Sequence, residues 1–262
     1  MRLRIGSVPY LNAKPLVDWF HSGRCNEDVE VIYAVPSLLA QMLRDDRLDV
    51  ANVSIFEGLQ NPALRLVPDI SISANGAVKS VRLFTKVPLP QIRSVALDTG
   101  SLTSSALIRI LLKESFGLEP VYTHHAPHLG DMMNRCDAAL LIGDLKLFDL
   151  QIGMTVYDLG KGWLDLTGLP FVYAGWLARE DRASAVMTEM LTRAKMWGTE
   201  RLDELAAKWA IRMDLPLDRC RDYLLNVMNY DLSSENWRGL KLFQEKCFAH
   251  GLVPDVHPLR TV

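Results

Sequence analysis

No stretch of the 262-residue chain approaches the roughly 18 uninterrupted apolar residues of a membrane-spanning helix, so no bilayer partner is expected. The first ten residues, Met1 to Tyr10, lack both the apolar core and the small-residue cleavage site of an export signal, and a cytoplasmic protein is expected. Cysteine is sparse and unpaired: Cys25, Cys136, Cys220 and Cys247 form no Cys-x-x-Cys motif. His124 and His125 have no thiol or helically spaced carboxylate nearby, so free thiols and no metal are expected. Excess charge is also missing. Twenty-nine Lys and Arg against 31 Asp and Glu give a net charge of -2, which supplies no basic field for nucleic acid. Neither Gly-x-x-x-x-Gly-Lys nor Gly-x-Gly-x-x-Gly occurs, so nucleotide cofactors are disfavoured and no cofactor is expected.

What remains is an ordinary globular composition, 49% hydrophobic and 23% charged, arranged in alternating short segments. Apolar runs at Leu3 to Val8, Val29 to Val35, Asp49 to Val53 and Arg65 to Val67 read as strands. Helix-like stretches at Ala13 to Ser22 and Pro36 to Arg44 separate the first three, giving β-α-β-α-β. A second round follows: strand Ser94 to Leu97, helix Leu102 to Phe116, strand Pro120 to His124, helix His128 to Asn134, strand Ala138 to Ile142. Ile5 to Val8 corresponds to Val95 to Asp98 at an offset of 90, and Leu48 to Ala51 to Cys136 to Ala139 at an offset of 88. Two similar α/β lobes are implied, with parallel-dominated mixed sheets and ligands beyond the strand ends. Ser80 to Thr85 and Pro170 to Trp176 would form a double-strand hinge. Lobe 1 is then expected over 1–85 plus 175–262, including four C-terminal helices, and lobe 2 over 86–174.

The strand ends carry the candidate residues: Tyr10 and Asn12, Asn52 and Ser54, the run Asp98 to Ser105, and Gly143 with Asp144. Thr99, Gly100, Ser101, Thr103, Ser104 and Ser105 surround a strand-to-helix turn, where free N–H groups and the positive helix end suit a carboxylate or phosphate. The alternative is an over-capped helix with a turn glycine. Asn12 fits either a helix cap or a ligand contact, and Lys14 either a cleft or a solvated surface. Arg82, set among Val81, Leu83 and Phe84, needs an anion from the protein or from a ligand. Strand alternation puts Ser80 on the same face as Arg82. His124, His125 and His128 lack a nucleophile elbow beside them and read as surface or structural residues.

The segments Ser7 to Leu16, Asp49 to Ser54, Leu97 to Ser105 and Trp163 to Ala174 resemble those of the chorismate dehydratases of the futalosine route to menaquinone, in order and spacing from residue 5 to about 180. The resemblance implies a type II periplasmic-binding-protein-like (Venus flytrap) fold. It implies conversion of chorismate to 3-[(1-carboxyvinyl)oxy]benzoate and water. The cleft segments carry no obvious general base apart from Asp144 and the histidines, so the substrate's enolpyruvyl group is expected to take the ring C3 proton. The family's asparagine carries over onto Asn12 and its serine onto Ser80 as catalytic residues. Tyr10, Asn52, Ser54, Arg82, Thr99, Gly100, Ser101, Thr103, Ser104, Ser105, Gly143, Asp144 and Phe171 complete the expected substrate-binding set, and the next pathway enzyme is a transient partner within this reading. A non-catalytic receptor for a small aromatic or dicarboxylic acid is the competing reading. The related naphthoate-forming enzyme ranks lower, because its expected histidine is replaced by Leu-Leu-Ile-Gly-Asp over 140–144.

Overall fold

A computed structural model describes residues 2–143 and 153–262. In chain order the elements are β1 (Leu3–Ser7), α1 (Lys14–Val17), β2 (Val29–Tyr33), α2 (Pro36–Arg44), β3 (Val50–Ser54), α3 (Ile55–Gln60), β4 (Leu64–Ala74), β5 (Val81–Thr85), β6 (Ser94–Asp98), α4 (Leu102–Phe116), β7 (Val121–His125), α5 (Leu129–Arg135), β8 (Ala138–Ile142), β9 (Thr155–Asp158), α6 (Leu159–Thr167), β10 (Phe171–Arg179), α7 (Ala185–Thr199), α8 (Leu202–Met213), α9 (Leu217–Asp222) and α10 (Ser234–Ala249).

They build two five-stranded sheets of matching order, β2-β1-β3-β10-β4 and β7-β6-β8-β5-β9. The offsets read from the sequence reappear in the parallel register. Ile5 pairs with Val50, and Val95, 90 residues on, pairs with Ala138, 88 residues on. Parallel pairing does not predominate, however. Each sheet has two parallel and two antiparallel pairings, because β10 and β5 arrive from the opposite sheet and run against their neighbours.

The chain therefore crosses between sheets twice, over 75–80 and 168–170, and each expected hinge strand is the first strand after a crossing. Residues 81–85 pair within the second sheet and 171–174 within the first, so the expected lobe limits at 85 and 174 fall inside or at the end of strands rather than at the crossings. Asp158 fixes the first crossing. Its carboxylate caps α6 by accepting from the Gly160 and Lys161 amides, and it also accepts from Val78 N (3.0 Å) and Lys79 N (2.7 Å). Lys79 holds φ 64, a left-handed conformation in which the two successive amides reach one carboxylate.

Other departures have local causes. The expected helix Ala13 to Ser22 is broken into 3-10 turns on either side of α1, since Asp18 turns inward to accept from Lys208 Nζ (2.6 Å) and Trp209 Nε1 (2.8 Å). The strand expected at Arg65 to Val67 extends to Ala74, bending at Asp69 (φ 60). Helix α6 and edge strand β9 escape a periodicity search: two glycines, Gly160 and Gly162, weaken one and four residues make the other. The Gly160 site does require glycine, because a Cβ there would lie 2.3 Å from the Gly76 carbonyl oxygen.

Helix α4 ends as its sequence dictates. Gly117 takes φ 68 and the Leu118 N–H returns to the Leu112 carbonyl, a Schellman-type stop. The C-terminal helices pack mainly on the first sheet, α7 against α1 and β4, and α10 against β10. The main apolar core runs through both sheets, with Trp163, Phe171 and Phe243 in mutual edge-to-face contact at 5.0–6.0 Å, and a smaller cluster around Phe84, Met132 and Leu141 belongs to the second sheet.

Candidate active site

Where the ends of β1 and β3 face the start of α4, the structure forms a pocket that opens to solvent. A concave, largely apolar site with a few convergent polar groups is the usual place for a small organic ligand. Ten of the expected residues line it: Tyr10, Asn12, Asn52, Ser54, Ser80, Gly100, Ser101, Thr103, Ser104 and Gly143. Apolar walls come from Val8, Ile72, Val78, Val81, Ile142 and Met228. Gly143 (φ 101) brings its backbone against the Tyr10 ring, 3.6 Å from where a Cβ would stand.

No lysine, arginine, histidine, aspartate or glutamate is among the described lining residues. Polarity comes from amides and hydroxyls instead. Asn52 is fully buried and neither of its amide atoms has a hydrogen-bond partner among the described residues. Leaving a buried amide unpaired costs on the order of 1–3 kcal/mol, which marks Asn52 as a group built to meet a ligand. Asn12 Oδ1 is likewise buried and unpartnered, while its Nδ2 donates to the Tyr223 hydroxyl at 3.3 Å. The Tyr223 hydroxyl donates in turn to Ser80 Oγ at 2.7 Å. Ser80 sits at the crossing just before β5, so the first lobe's Asn12 and the crossing's Ser80 meet at one wall.

The α4 start is more self-satisfied than an open anion cradle. Thr103 N donates to Ser54 Oγ (3.1 Å), Ser104 N to the N-cap Ser101 Oγ (3.3 Å), and Gly100 N to Asp98 Oδ1 (2.8 Å). Thr103 Oγ1 bonds Ser54 Oγ, accepts from Phe56 N and donates to the Tyr173 carbonyl, clasping α4 to the first sheet. Farther along α4, Glu114 takes Lys246 of α10 and His250 just beyond that helix. The helix is thus docked against both sheets, with the Ser104 hydroxyl and the helix end facing the cavity. Burial pushes the Asp98 carboxyl above the usual carboxylate range, against the pull of the Gly100 and Ile142 amides.

Four expected residues do not reach the described cavity. Arg82 is two residues farther along β5 than Ser80, about 6.6 Å at strand rise, between Leu141 and Asp158. Burial lowers its guanidinium pKa and the Asp158 charge opposes that. Thr99 is exposed, with its amide on the His125 carbonyl. Ser105 turns its hydroxyl back onto the Ser101 carbonyl. Phe171 packs in the core against Trp163, Tyr173 and Phe243. Asp144 lies outside the described residues. Lys14 also stays away, buried over the Trp209 ring at 4.0 Å, and His124, His125 and His128 lie on the second sheet's far edge.

Eleven lining residues fall outside the expected set, mostly apolar, Tyr173 and Met228 among them. Tyr173 follows Phe171 by two positions, and a register shift between Val172 and Ala174 breaks the alternation there. Its hydroxyl is buried without a partner among the described residues, and burial holds its pKa well above 10, so it remains a neutral donor. The motif containing both aromatics was the available signal. Met228 belongs to the helical tail and carried none.

Comparisons with known proteins agree with this architecture. A solved protein from Archaeoglobus fulgidus superposes with a TM-score of 0.78 at 18% identity, covering 96% of this chain and 98% of its own. The periplasmic aliphatic sulphonate binding protein of Escherichia coli superposes at 0.65 and 17% identity, covering 98% and 90%, which establishes a periplasmic-binding-protein-like fold. A chorismate dehydratase from Thermus thermophilus is 33% identical over 260 residues, 92% of this chain and 93% of that protein. The family model described as "Menaquinone biosynthesis" matches residues 3–249, and the chain belongs to that family.

Proposed function

We propose that the chain is a chorismate dehydratase of menaquinone biosynthesis, acting in the cytoplasm as a carbon-oxygen lyase. The observation that carries this reading beyond family membership is the meeting of Asn12 and Ser80 at one wall of a cavity whose described lining has no ionisable acid or base other than tyrosine. A hydrolase or a conventional acid–base enzyme needs a titratable group placed at the reacting atom. An elimination that aromatises its substrate needs less.

In the proposed reaction the substrate's enolpyruvyl carboxylate takes the C3 proton. The C–H electron pair becomes the new ring π bond and the C4–O bond breaks. The proton then joins the departing hydroxide, so that one water leaves and the aromatic product is 3-[(1-carboxyvinyl)oxy]benzoate. The protein's contribution is to hold the ring so that carboxylate and C3–H meet, and to keep bulk water out. Asn12 and Ser80 orient the reacting groups. Asn52, Tyr173, Ser104 and the α4 end supply donors to the carboxylates. A guanidinium is not required at the site, because amide and hydroxyl donors acting in a dry cavity are stronger than in water.

Incubation of the protein with chorismate, followed by absorbance and mass of the product, tests the reading. A new aromatic product lighter by one water is expected. Asn12→Ala and Ser80→Ala should each lower kcat by about 100-fold or more, in the range of a lost transition-state donor. Binding of chorismate with no product would favour a receptor instead, and near-normal turnover in both variants would remove these two residues from the chemistry.

A further inference from the structure

The C-terminal helices entered the sequence reading only as packing elements, yet one of their side chains lies behind both Asn12 and Ser80. Helix α9 ends at Asp222 and the chain widens into a π-turn over Tyr223–Val227, in which the Met228 N–H reaches the Tyr223 carbonyl at 3.0 Å. Such widened turns displace side chains from regular helical positions and concentrate at functional sites. Here the turn puts Met228 onto the cavity wall and sets the fully buried Tyr223 ring one layer behind it. An ion pair between Lys79 and Asp222 lies alongside. Two consecutive residues of the crossing, 79 and 80, are therefore held by two consecutive residues of the tail, 222 and 223.

We propose that Tyr223 is the positioning residue of the site, fixing which atoms Asn12 and Ser80 present to the substrate; this rests on the reading of those two as the groups that face it. A phenol has one proton to give. It goes to Ser80 Oγ, so the Ser80 proton is turned away from Tyr223. The phenol oxygen accepts from Asn12 Nδ2, which leaves Asn12 Oδ1, buried and unpartnered among the described residues, for the ligand. Ser80 thus faces the cavity as a donor and Asn12 as an acceptor. A single substrate hydroxyl satisfies both, accepting from Ser80 and donating to Asn12. On the proposed substrate that hydroxyl is the C4 leaving group, and a fixed donor on its oxygen stabilises the charge that develops as the C–O bond breaks.

Tyr223→Phe keeps the ring and removes only the hydroxyl. Steady-state turnover of chorismate is expected to show kcat lowered about 10- to 50-fold with KM changed less than about threefold, the signature of an interaction that matters in the transition state. In a Ser80→Ala background the same change should cost less than in the wild type, and in the Asn12→Ala, Ser80→Ala double variant less than about twofold, since Tyr223 acts through the two residues then removed. A Tyr223→Phe kcat within twofold of wild type, an effect confined to KM, or full additivity with Ser80→Ala would each overturn the proposal. A folding role alone would lower the unfolding midpoint and leave kcat in place. Absence of turnover in the wild-type chain would overturn the functional reading and this proposal together, whereas an active wild type with an unaffected Tyr223→Phe overturns this proposal alone.

Discussion

The two lobes share one strand order but place their polar groups on different strands. In the first, β3 ends in Asn52 and Ser54 while β1 ends in Ser7 and the apolar Val8. In the second, the strand matching β3 ends in Leu140 and Ile142, and the strand matching β1 ends in Asp98 and leads to the hydroxyls of α4. The helices that follow differ accordingly. Fifteen-residue α4 has an intact N-terminus, while its counterpart is broken around α1 and Asn12 lies in the broken part. One lobe therefore offers amide side chains and the other a helix end, and the cavity between them gains both kinds of donor without a charged side chain among its described lining residues. Gene-duplication-like symmetry of the backbone does not extend to the chemistry at the strand ends.

Three contrasts test that comparison. The largest effect is expected in helix packing. A Cβ at Gly198 of α7 would lie 1.8 Å from the Pro15 carbonyl oxygen, whereas one at Gly130 of α5 meets nothing within 4 Å. Gly198→Ala should destabilise by about 3 kcal/mol, and Gly130→Ala should stabilise by about 0.5–1 kcal/mol, read as ΔG in urea denaturation. Equal behaviour of the two variants would mean that the first lobe's helical layer is no tighter than the second's.

The next contrast concerns the ligand. Asn52→Leu should reduce kcat/KM for chorismate by about 100-fold, since it removes two unpaired buried polar atoms that the ligand completes, while Ser104→Ala should cost about 10-fold. A larger loss in Ser104→Ala than in Asn52→Leu would invert the assignment and make the helix end the dominant anchor.

The smallest contrast lies in a pair of carboxylates at equivalent positions, Asp49 and Asp137. Burial alone would raise the Asp49 pKa, but bonds from the Arg4 side chain and amide outweigh it and hold the carboxyl below its usual range. Asp137 is lowered by the Arg93 amide, then by the Ser94 hydroxyl and amide. Both folded-state values lie below the unfolded ones, so both contributions are present above the unfolded carboxylate pKa near 3.9 and are lost as pH falls through the folded values. Asp49→Asn should cost about 2 kcal/mol at pH 7 and Asp137→Asn about 1, in keeping with a charged partner against neutral ones. Both variants should lose less stability than wild type between pH 5 and pH 2; a parallel loss in all three proteins would sink this account.

Much of this molecule was legible in the chain. Short apolar runs gave β1, β3, β6 and β8, and the offsets of 90 and 88 gave the correspondence of the lobes, because both depend on local pattern and on register counted along the sequence. Ten of the expected residues line the cavity, and the family resemblance singled out Asn12 and Ser80. Side-chain aim was not legible. Whether Arg82 reaches the cavity depends on where the crossing ends and β5 begins, and whether Tyr173 or Phe171 does depends on a bulge set by pairing with β4. Tyr223 is 211 residues from Asn12 and 143 from Ser80. No local pattern joins such positions; only packing of the tail against the crossing brings one phenol to both, which is a property of the folded chain and not of any segment of it.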